Sequence, residues 1–361
     1  MSVATGLVRG HTASPELARD AVVQALERSG NAGTGGILLF LSADFARDPQ
    51  PALLAASRAA GSTRIIGCTA MGLFTEEDWV IDGPAAAAMV FDEGIALRPA
   101  PNPAATDQLL SLTAPHALDT SWLDGPGQRI GAVSGDATGS GPFRVWCSAK
   151  PSPSGRCETL LDGTVGHFSV SQGIRSISNP LPVVASHGYD LQQLGGHLAL
   201  TSLARELPLD ARESDRIPLH LIMAGVIVGP VPGAIAEGRF RLVPVIATNP
   251  HNQSITLAQA IEPGTHMFWA MRQPLAAERN MRVTLDHLQQ LAPAPDFLLL
   301  FPCMGRGPYF YGGVDRDWEL TRDYFPNTPL IGFYGNGEIA PFEGRSQLFQ
   351  YAAVVGAFCR V

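Results

Sequence analysis

The residues best suited to chemistry lie in the segment FPCMGRG, residues 301–307. Cys303 follows an apolar run that predicts a buried strand, and Arg306 lies in the same short loop. Ligands of parallel α/β sheets bind at the carboxyl ends of strands, so this loop is predicted to face a ligand. A nearby guanidinium favours the thiolate, which makes Cys303 a candidate reactive group as well. Gly305 and Gly307 would let backbone N–H groups approach a ligand closely.

A second polar segment, GNGEIAPFEG at residues 335–344, follows the next predicted strand of the same unit. A carboxylate, an amide and a guanidinium at adjacent strand ends can hold a small polar ligand by charge-assisted hydrogen bonds. The alternative is an Arg306–Glu338 salt bridge that braces the two loops. The predicted ligand-binding residues, all in these two loops, are Cys303, Gly305, Arg306, Gly307, Asn336, Gly337 and Glu338.

Known catalytic and cofactor-binding motifs do not fit the rest of the chain. The segment 134–136 (SGD) resembles neither a nucleophile elbow nor a Walker A loop. The glycines at 33–36 precede a strand, so a dinucleotide fingerprint fails. His187 and His197 flank a predicted helix start and have no partner at metal-ligand spacing. Neither a metal site nor a catalytic residue is predicted.

An enzyme that uses Cys303 as a nucleophile remains an alternative hypothesis. Such chemistry needs a general base within reach, usually a histidine. None lies near Cys303 in sequence, although His266 or His287 could approach it in the folded chain. A binding module is therefore favoured over an enzyme.

The two ends of the chain show the same order of elements. Residues 36–41 predict a buried strand, 51–60 a helix, 64–72 a strand leading into a turn, and 85–91 a closing strand. The same order recurs near the carboxyl terminus at residues 296–301, 315–325, 329–334 and 350–358. This pattern predicts an internal duplication that relates the N- and C-terminal α/β units. A helix between two apolar strands favours a parallel pair.

The middle of the chain predicts short strands separated by turns. Helices are predicted at residues 191–207 and 274–291, the second from apolar residues at helical spacing. The predicted fold class is α+β, with mixed β-sheets covered by helices.

The amino-acid composition excludes several classes of protein. The chain has 361 residues, 45% hydrophobic and 16% charged, which excludes extensive disorder. A net charge of −8 disfavours nucleic-acid binding. Five cysteines without a C-x-x-C pair predict neither a disulfide framework nor a structural zinc site, and a reduced cytoplasm is expected. The uncharged residues 217–236 contain several prolines and glycines, which predicts buried strands rather than membrane insertion.

These segments resemble the FIST domain family. FPCMGRG and YFPNTPLIGFYGNGEIAPF are similar to the FIST C-terminal domain, and RIIGCTAMG with AAAAMVF is similar to the FIST N-terminal domain. The segment GIRSISNPLPVVASHGYDLQQLGG is similar to the connecting region. The resemblance implies two domains, residues 1–215 (FIST N-like with the connecting region) and 216–361 (FIST C-like). One departure is the N-terminal turn, where 71–74 (MGLF) replaces a Gly-Glu pair that is frequent in the family.

The resemblance implies a role in intracellular signal transduction, with a small polar ligand such as an amino acid. Some bacterial members resemble haem-based nitric oxide sensors, so haem is an alternative cofactor, although this sequence indicates no axial ligand. The chain shows no F-box or kinase segment and is expected to be a stand-alone cytoplasmic sensor that acts through a signalling protein partner.

Overall fold

A computed structural model describes residues 3–30, 33–136, 139–208 and 217–361. The chain divides into two compact units, unit 1 with Met1–Ser171 and Met281–Val361, and unit 2 with Gln172–Asn280. Mixed sheets with helices confirm the α+β class. The predicted domain boundary at 215/216 lies outside the described residues and within the span of unit 2, so that division stays a prediction.

The described residues of unit 1 form three 6-stranded sheets. Sheet 1 has the order β1 (Val3–Arg9), β6 (Ala85–Phe91), β2 (Gly36–Ser42), β3 (Ile65–Ala70), β10 (Val145–Cys147) and β11 (Lys150–Pro151). Sheet 2 has the order β7 (Ala96–Pro99), β12 (Arg156–Asp162), β8 (Gln108–Thr113), β9 (Gln128–Val133), β24 (Glu338–Phe342) and β25 (Arg345–Phe349). Sheet 3 has the order β13 (Thr164–Ser171), β26 (Ala353–Arg360), β22 (Phe297–Pro302), β23 (Leu330–Phe333), β4 (Gly72–Thr75) and β5 (Trp79–Ile81).

One strand arrangement occurs in all three sheets. The central two strands are parallel, namely β2 with β3, β8 with β9, and β22 with β23. An antiparallel strand flanks the first of each pair, and a hairpin from another part of the chain pairs with the second. The chain thus leaves each parallel pair and adds its next hairpin to a different sheet. The internal duplication predicted for the chain ends stays a prediction, since topology is also shared without common descent.

Three glycines mark the same position in the three parallel pairs. A Cβ atom at Gly67, Gly131 or Gly332 would lie 1.7, 1.8 or 1.9 Å from a carbonyl oxygen of the adjoining parallel strand. The carbonyl oxygens belong to Leu39, Ser111 and Leu300, respectively. Real Cβ atoms do not approach that closely, so only glycine fits. These positions allow residues of the three sheets to be compared one by one.

A shared apolar core includes side chains from all three sheets of unit 1. Phe40 of sheet 1 packs against Phe301 and Phe333 of sheet 3, with ring centroids 6.5 and 4.8 Å apart. The outer face of sheet 1 packs against α1 (Pro15–Ser29) and α2 (Gln50–Ala60). The outer face of sheet 3 packs against residues from Met281 onward in α5 (Pro274–Leu291) and against α6 (Arg316–Tyr324). The short helix α3 (Thr120–Leu123) lies between β8 and β9 in the chain.

Unit 2 is a closed antiparallel barrel. Its strands follow the order β14 (Ile174–Ser176), β21 (His266–Arg272), β15 (Leu181–His187), β16 (Asp190–Leu194), β20 (Ser254–Leu257), β19 (Phe240–Asn249) and β18 (Ile222–Ile227). Pairing of β21 with β18 closes the ring, and β17 (His197–Leu198) extends β16. Helix α4 (Ala199–Glu206) contributes to the core, where Trp269 Nε1 donates to Ser202 Oγ at 3.2 Å. Gly173 N donates to Asn280 Oδ1 at 3.0 Å, which joins the two ends of the unit.

The structure corrects two expectations from the sequence. The helix predicted at 191–207 begins only at Ala199, because residues 190–194 pair with β15 and Gly195 has a φ of 56°. The expected absence of disulfides is also wrong, since Cys147 and Cys157 form one, with Cα atoms 5.8 Å apart. An odd number of cysteines does not prevent a single pair from meeting.

Among the described residues, no helix is long and apolar enough to cross a membrane. That part of the chain also contains no group of three or more His, Cys, Asp or Glu side chains placed to hold a metal ion.

Candidate functional site

Cys303 lies at the carboxyl end of β22, as the sequence predicts. Its backbone N–H donates to Ala352 O at 2.8 Å, and it forms a parallel bridge with Gly335 at the end of β23. Residues Met304–Arg306 then form one 3-10 turn, whose first N–H donates to Gly335 O at 2.8 Å. The two predicted loops therefore meet at adjacent strand ends. Cys303 is 8% exposed, so only a small edge of this residue reaches solvent.

Glu338 is fully buried at the start of β24, opposite Ala132 of β9. Its Oε2 accepts from the backbone N–H of Ala352 at 3.4 Å, and its carboxyl is hydrogen-bonded with the thiol of Cys303. Its Oε1 has no hydrogen-bond partner. Burial raises the pKa of Glu338 well above its usual range, although these hydrogen bonds and the positive charge of Arg306 oppose the shift. Burial therefore favours the protonated, neutral form of the Glu338 carboxyl.

Arg306 is buried and forms a salt bridge with a residue that sequence analysis did not consider. Its Nε and Nη2 donate to Asp317 Oδ2 and Oδ1 at 2.7 and 2.9 Å. Nη1 donates to the backbone oxygen of Ser171 at 2.5 Å, and Nη2 donates to its Oγ at 2.7 Å. Two parallel bonds to one carboxylate fix the guanidinium plane. Arg306 therefore joins the loop after β22 to α6 and to the end of β13.

Two aspartates and two tyrosines extend this polar cluster. Asp315 caps α6 by accepting from Trp318 N at 3.0 Å, and the hydroxyl of Tyr334 donates to it. Tyr311 donates to Asp317 at 3.0 Å. Burial and the nearby negative charge of Asp317 raise the pKa of Asp315 to about 7. The position of Asp315 just before a predicted helix could have indicated its role as a helix cap. No pattern in the nearby sequence indicated that Tyr334 and Tyr311 bond to these aspartates.

Asn336 is exposed, in contrast to Glu338 two residues later. Its backbone N–H donates to Val133 O at 2.8 Å, which holds the loop against the end of β9. Gly337 has a φ of 140° and needs to be glycine. Asn336, two residues before Glu338, therefore offers a polar side chain that is accessible to solvent.

The two glycines of FPCMGRG lie within and directly after the 3-10 turn. Gly307 has a φ of −74°, so a left-handed conformation is not its role. A Cβ atom there would lie 3.1 Å from the ring of Tyr334, so the glycine permits this close packing. Gly305 is half-buried inside the 3-10 turn.

Comparison of the three sheets shows which residues the shared arrangement does not require. Cys303 lies three residues after Leu300. The equivalent residues, three after Leu39 and Ser111, are Ser42 and Ala114. The residue after each of these glycines pairs with a residue of the added hairpin. These hairpin residues are Val145 in sheet 1, Glu338 in sheet 2 and Leu73 in sheet 3. The arrangement thus forms twice with apolar side chains where Glu338 lies. The strand arrangement itself therefore does not require a carboxyl at this position.

The histidines considered as bases for Cys303 lie on different elements. His287 is exposed on α5, and His266 belongs to β21 of unit 2. The acid hydrogen-bonded to Cys303 is Glu338, and burial favours its protonated form, which cannot take a proton from the thiol. Catalysis by Cys303 stays an alternative hypothesis.

One family model matches part of this chain. Residues 199–341 match the family model of the FIST C domain, a family of signal-transduction domains. The match includes all seven predicted ligand-binding residues. It begins within unit 2 and ends in sheet 2 of unit 1, so it spans residues of both units. The resemblance of the N-terminal segments to the FIST N-terminal domain stays a prediction.

Two mycobacterial relatives align with much of the chain, and a third relative aligns with a short segment. An uncharacterised protein of Mycobacterium tuberculosis strain H37Rv is 27% identical over 353 residues, which cover 90% of this chain and 92% of that protein. An uncharacterised protein of Mycobacterium bovis is 29% identical over 264 residues, 70% of this chain and 68% of that protein. Human F-box only protein 22 is 49% identical over 43 residues, 11% of this chain and 10% of that protein.

Proposed function

We propose that the chain is a cytoplasmic sensory module of signal transduction that binds a small polar ligand where β22 and β23 end. Ligand binding would involve Cys303, Asn336 and Glu338 directly, with the glycines Gly305, Gly307 and Gly337 shaping the loops. Arg306 would position the first loop through Asp317. The FIST C domain match supports the signalling role.

A single observation carries the ligand site. Glu338 is fully buried with an unpartnered oxygen, although the other two sheets have Leu73 and Val145 at the same position. Burying a polar group without a partner is costly, so its presence indicates a use other than folding. A ligand atom that bonds to Oε1 would remove this cost.

The buried cluster offers a route from the ligand to the protein surface. Arg306 and Asp317 join the ligand loop to α6, and Tyr334 with Asp315 joins β23 to the start of the same helix. Movement of the loop would therefore shift α6, whose outer side would contact a signalling protein partner. A partner that recognises the ligand-bound form would convert binding into a signal.

Native mass spectrometry of the purified full chain tests this proposal first. An additional mass that is lost on denaturation would identify a co-purified ligand, and the mass of haem would favour the haem alternative. A thermal-shift screen of small acids, amides and amino acids follows. Stabilisation by a compound should be reduced in Asn336→Ala and Glu338→Leu and retained in Glu343→Gln, which alters an exposed carboxylate of the β24–β25 turn. Equal stabilisation of the parent chain and the three variants would show that Asn336 and Glu338 are not part of the site.

A further inference from the structure

We infer that Glu338 is the hydrogen-bond donor of the proposed site, so that its ligand presents an uncharged or anionic oxygen acceptor, a carbonyl or carboxylate, rather than a cation. This inference rests on the function proposed above and adds the chemical class of the ligand.

The position of the acid proton follows from the hydrogen bonds of Glu338. Its Oε2 accepts from the backbone N–H of Ala352, and the carboxyl also accepts from the thiol of Cys303 and the backbone N–H of Gly337, so it presents lone pairs to these donors. A neutral carboxylic acid has one O–H group, which is therefore best placed on Oε1. Oε1 has no partner. The unsatisfied group is thus a donor, and what it lacks is an acceptor.

The surroundings favour the neutral acid over a carboxylate. Glu338 is 0% exposed, and water does not solvate a charge at that position. The positive charge of Arg306 opposes the shift, but this guanidinium makes two hydrogen bonds to Asp317, so its charge is largely balanced there. Burial consequently dominates and keeps the proton on the carboxyl.

The same surroundings disfavour a ligand cation. An ammonium group at Oε1 would require Glu338 to ionise within a buried site. An acceptor oxygen avoids this cost, because it takes the existing O–H. Asn336, exposed on the same loop, can supply a second donor or acceptor to the ligand.

The three sheets supply variants that test the donor role. Glu338→Gln keeps a neutral donor in the form of an amide NH₂, whereas Glu338→Leu places at this position the side chain that Leu73 has in sheet 3. Because the shared arrangement already forms with leucine there, this variant is expected to fold. Glu343→Gln in the same hairpin is the matched control.

Binding of acetate, acetamide, ethylammonium and putrescine to the full chain would be measured by NMR titration. We expect the two acceptor compounds to bind the parent chain, Glu338→Gln and Glu343→Gln, and to bind Glu338→Leu about tenfold more weakly or not at all. The two amines should not bind.

Each other outcome overturns the inference in a distinguishable way. Amines that bind the parent chain and not Glu338→Gln would show a carboxylate that takes a cation, and the proposed ligand site would survive. Loss of acetamide binding in Glu338→Gln, or its retention in Glu338→Leu, would reject the donor role. Failure of every compound, together with no co-purified mass, would reject the donor role and the proposed function together.

Discussion

Arg306 and Asp317 form a buried ion pair with two parallel hydrogen bonds, and their side chains are 1% and 0% exposed. The pair connects the loop after β22 to the first turn of α6. Removing one member leaves the other charge buried without compensation. Substitution of either member of this pair is therefore expected to destabilise the protein.

Asp317→Ala should lower the free energy of unfolding by about 4 kcal/mol, because the guanidinium of Arg306 stays buried without its carboxylate. Arg306→Lys should also destabilise, since an ammonium cannot make two parallel bonds to one carboxylate. Urea unfolding would measure both changes. Asp78→Asn, which removes an exposed pair with Arg9, is the control and should have little effect. A similar small effect for Asp317→Ala would show that the pair contributes nothing.

Asp315 should make the protein less stable as pH rises. Its pKa in the folded chain is about 7, above the ordinary value of 3.8, so the unfolded chain loses this proton first. Its contribution is complete below about pH 4 and is lost as pH rises to about 7, at up to 1.4 kcal/mol per pH unit. Glu338, whose pKa is also raised, acts in the same direction.

Urea unfolding of the parent chain and Asp315→Asn at about pH 5 and about pH 7 measures this effect. Asparagine also caps helices and can accept from Tyr334, so the variant is expected to fold. The stability of the parent chain should fall more steeply with pH than that of Asp315→Asn. Identical slopes would mean that Asp315 is already ionised in the folded chain.

The disulfide between Cys147 and Cys157 should contribute to stability. It joins β10 of sheet 1 to β12 of sheet 2 and closes a loop with a sequence separation of 10. A cross-link of this size restricts the unfolded chain, and its loss should cost about 3 kcal/mol. Cys147→Ser is the variant of choice because Cys147 is only half-buried.

Dithiothreitol should destabilise the parent chain and leave Cys147→Ser unchanged. Cys359→Ser, which alters a half-buried cysteine outside the disulfide, is the control and should retain the response to reductant. Thiol counting in the denatured, unreduced chain gives an independent test. Five free thiols rather than three would contradict the cross-link.

Gly332→Ala should destabilise the protein by about 3 kcal/mol or more, because its Cβ atom would lie 1.9 Å from Leu300 O and the parallel pair must separate. The same change at Gly67 or Gly131 should be equally harmful if the three sheets share this packing. Gly83→Ala, with no atom near its Cβ position, is the matched control. Thermal unfolding compares the four variants, and a Gly332→Ala protein as stable as Gly83→Ala would reject the equivalence.

Local patterns in the sequence predicted many elements well. The strand predicted at residues 85–91 and the helix predicted at 274–291 have the same bounds in the structure. Apolar periodicity and continuous apolar runs depend on neighbouring residues, so they can be recognised without knowledge of the rest of the chain. The helix predicted at 191–207 was partly wrong because pairing of residues 190–194 with β15 overrode helix propensity.

Long-range contacts in the candidate site had no comparable signal. Ser171 lies 135 residues from Arg306 in the chain, yet it accepts two of its hydrogen bonds. Cys147 and Cys157 meet because one strand belongs to sheet 1 and the other to sheet 2. Neither relationship leaves a pattern in the nearby sequence.

The sequence by itself determined the types and order of most elements and the two polar loops that follow β22 and β23, because secondary-structure preference is a local property. Only the tertiary structure decided that Arg306 pairs with Asp317 and that Glu338 is a buried acid beside Cys303. It also showed that the other sheets have apolar residues at the position of Glu338. Burial and charge compensation depend on which distant segments meet, and that choice is made by the packing of the whole chain.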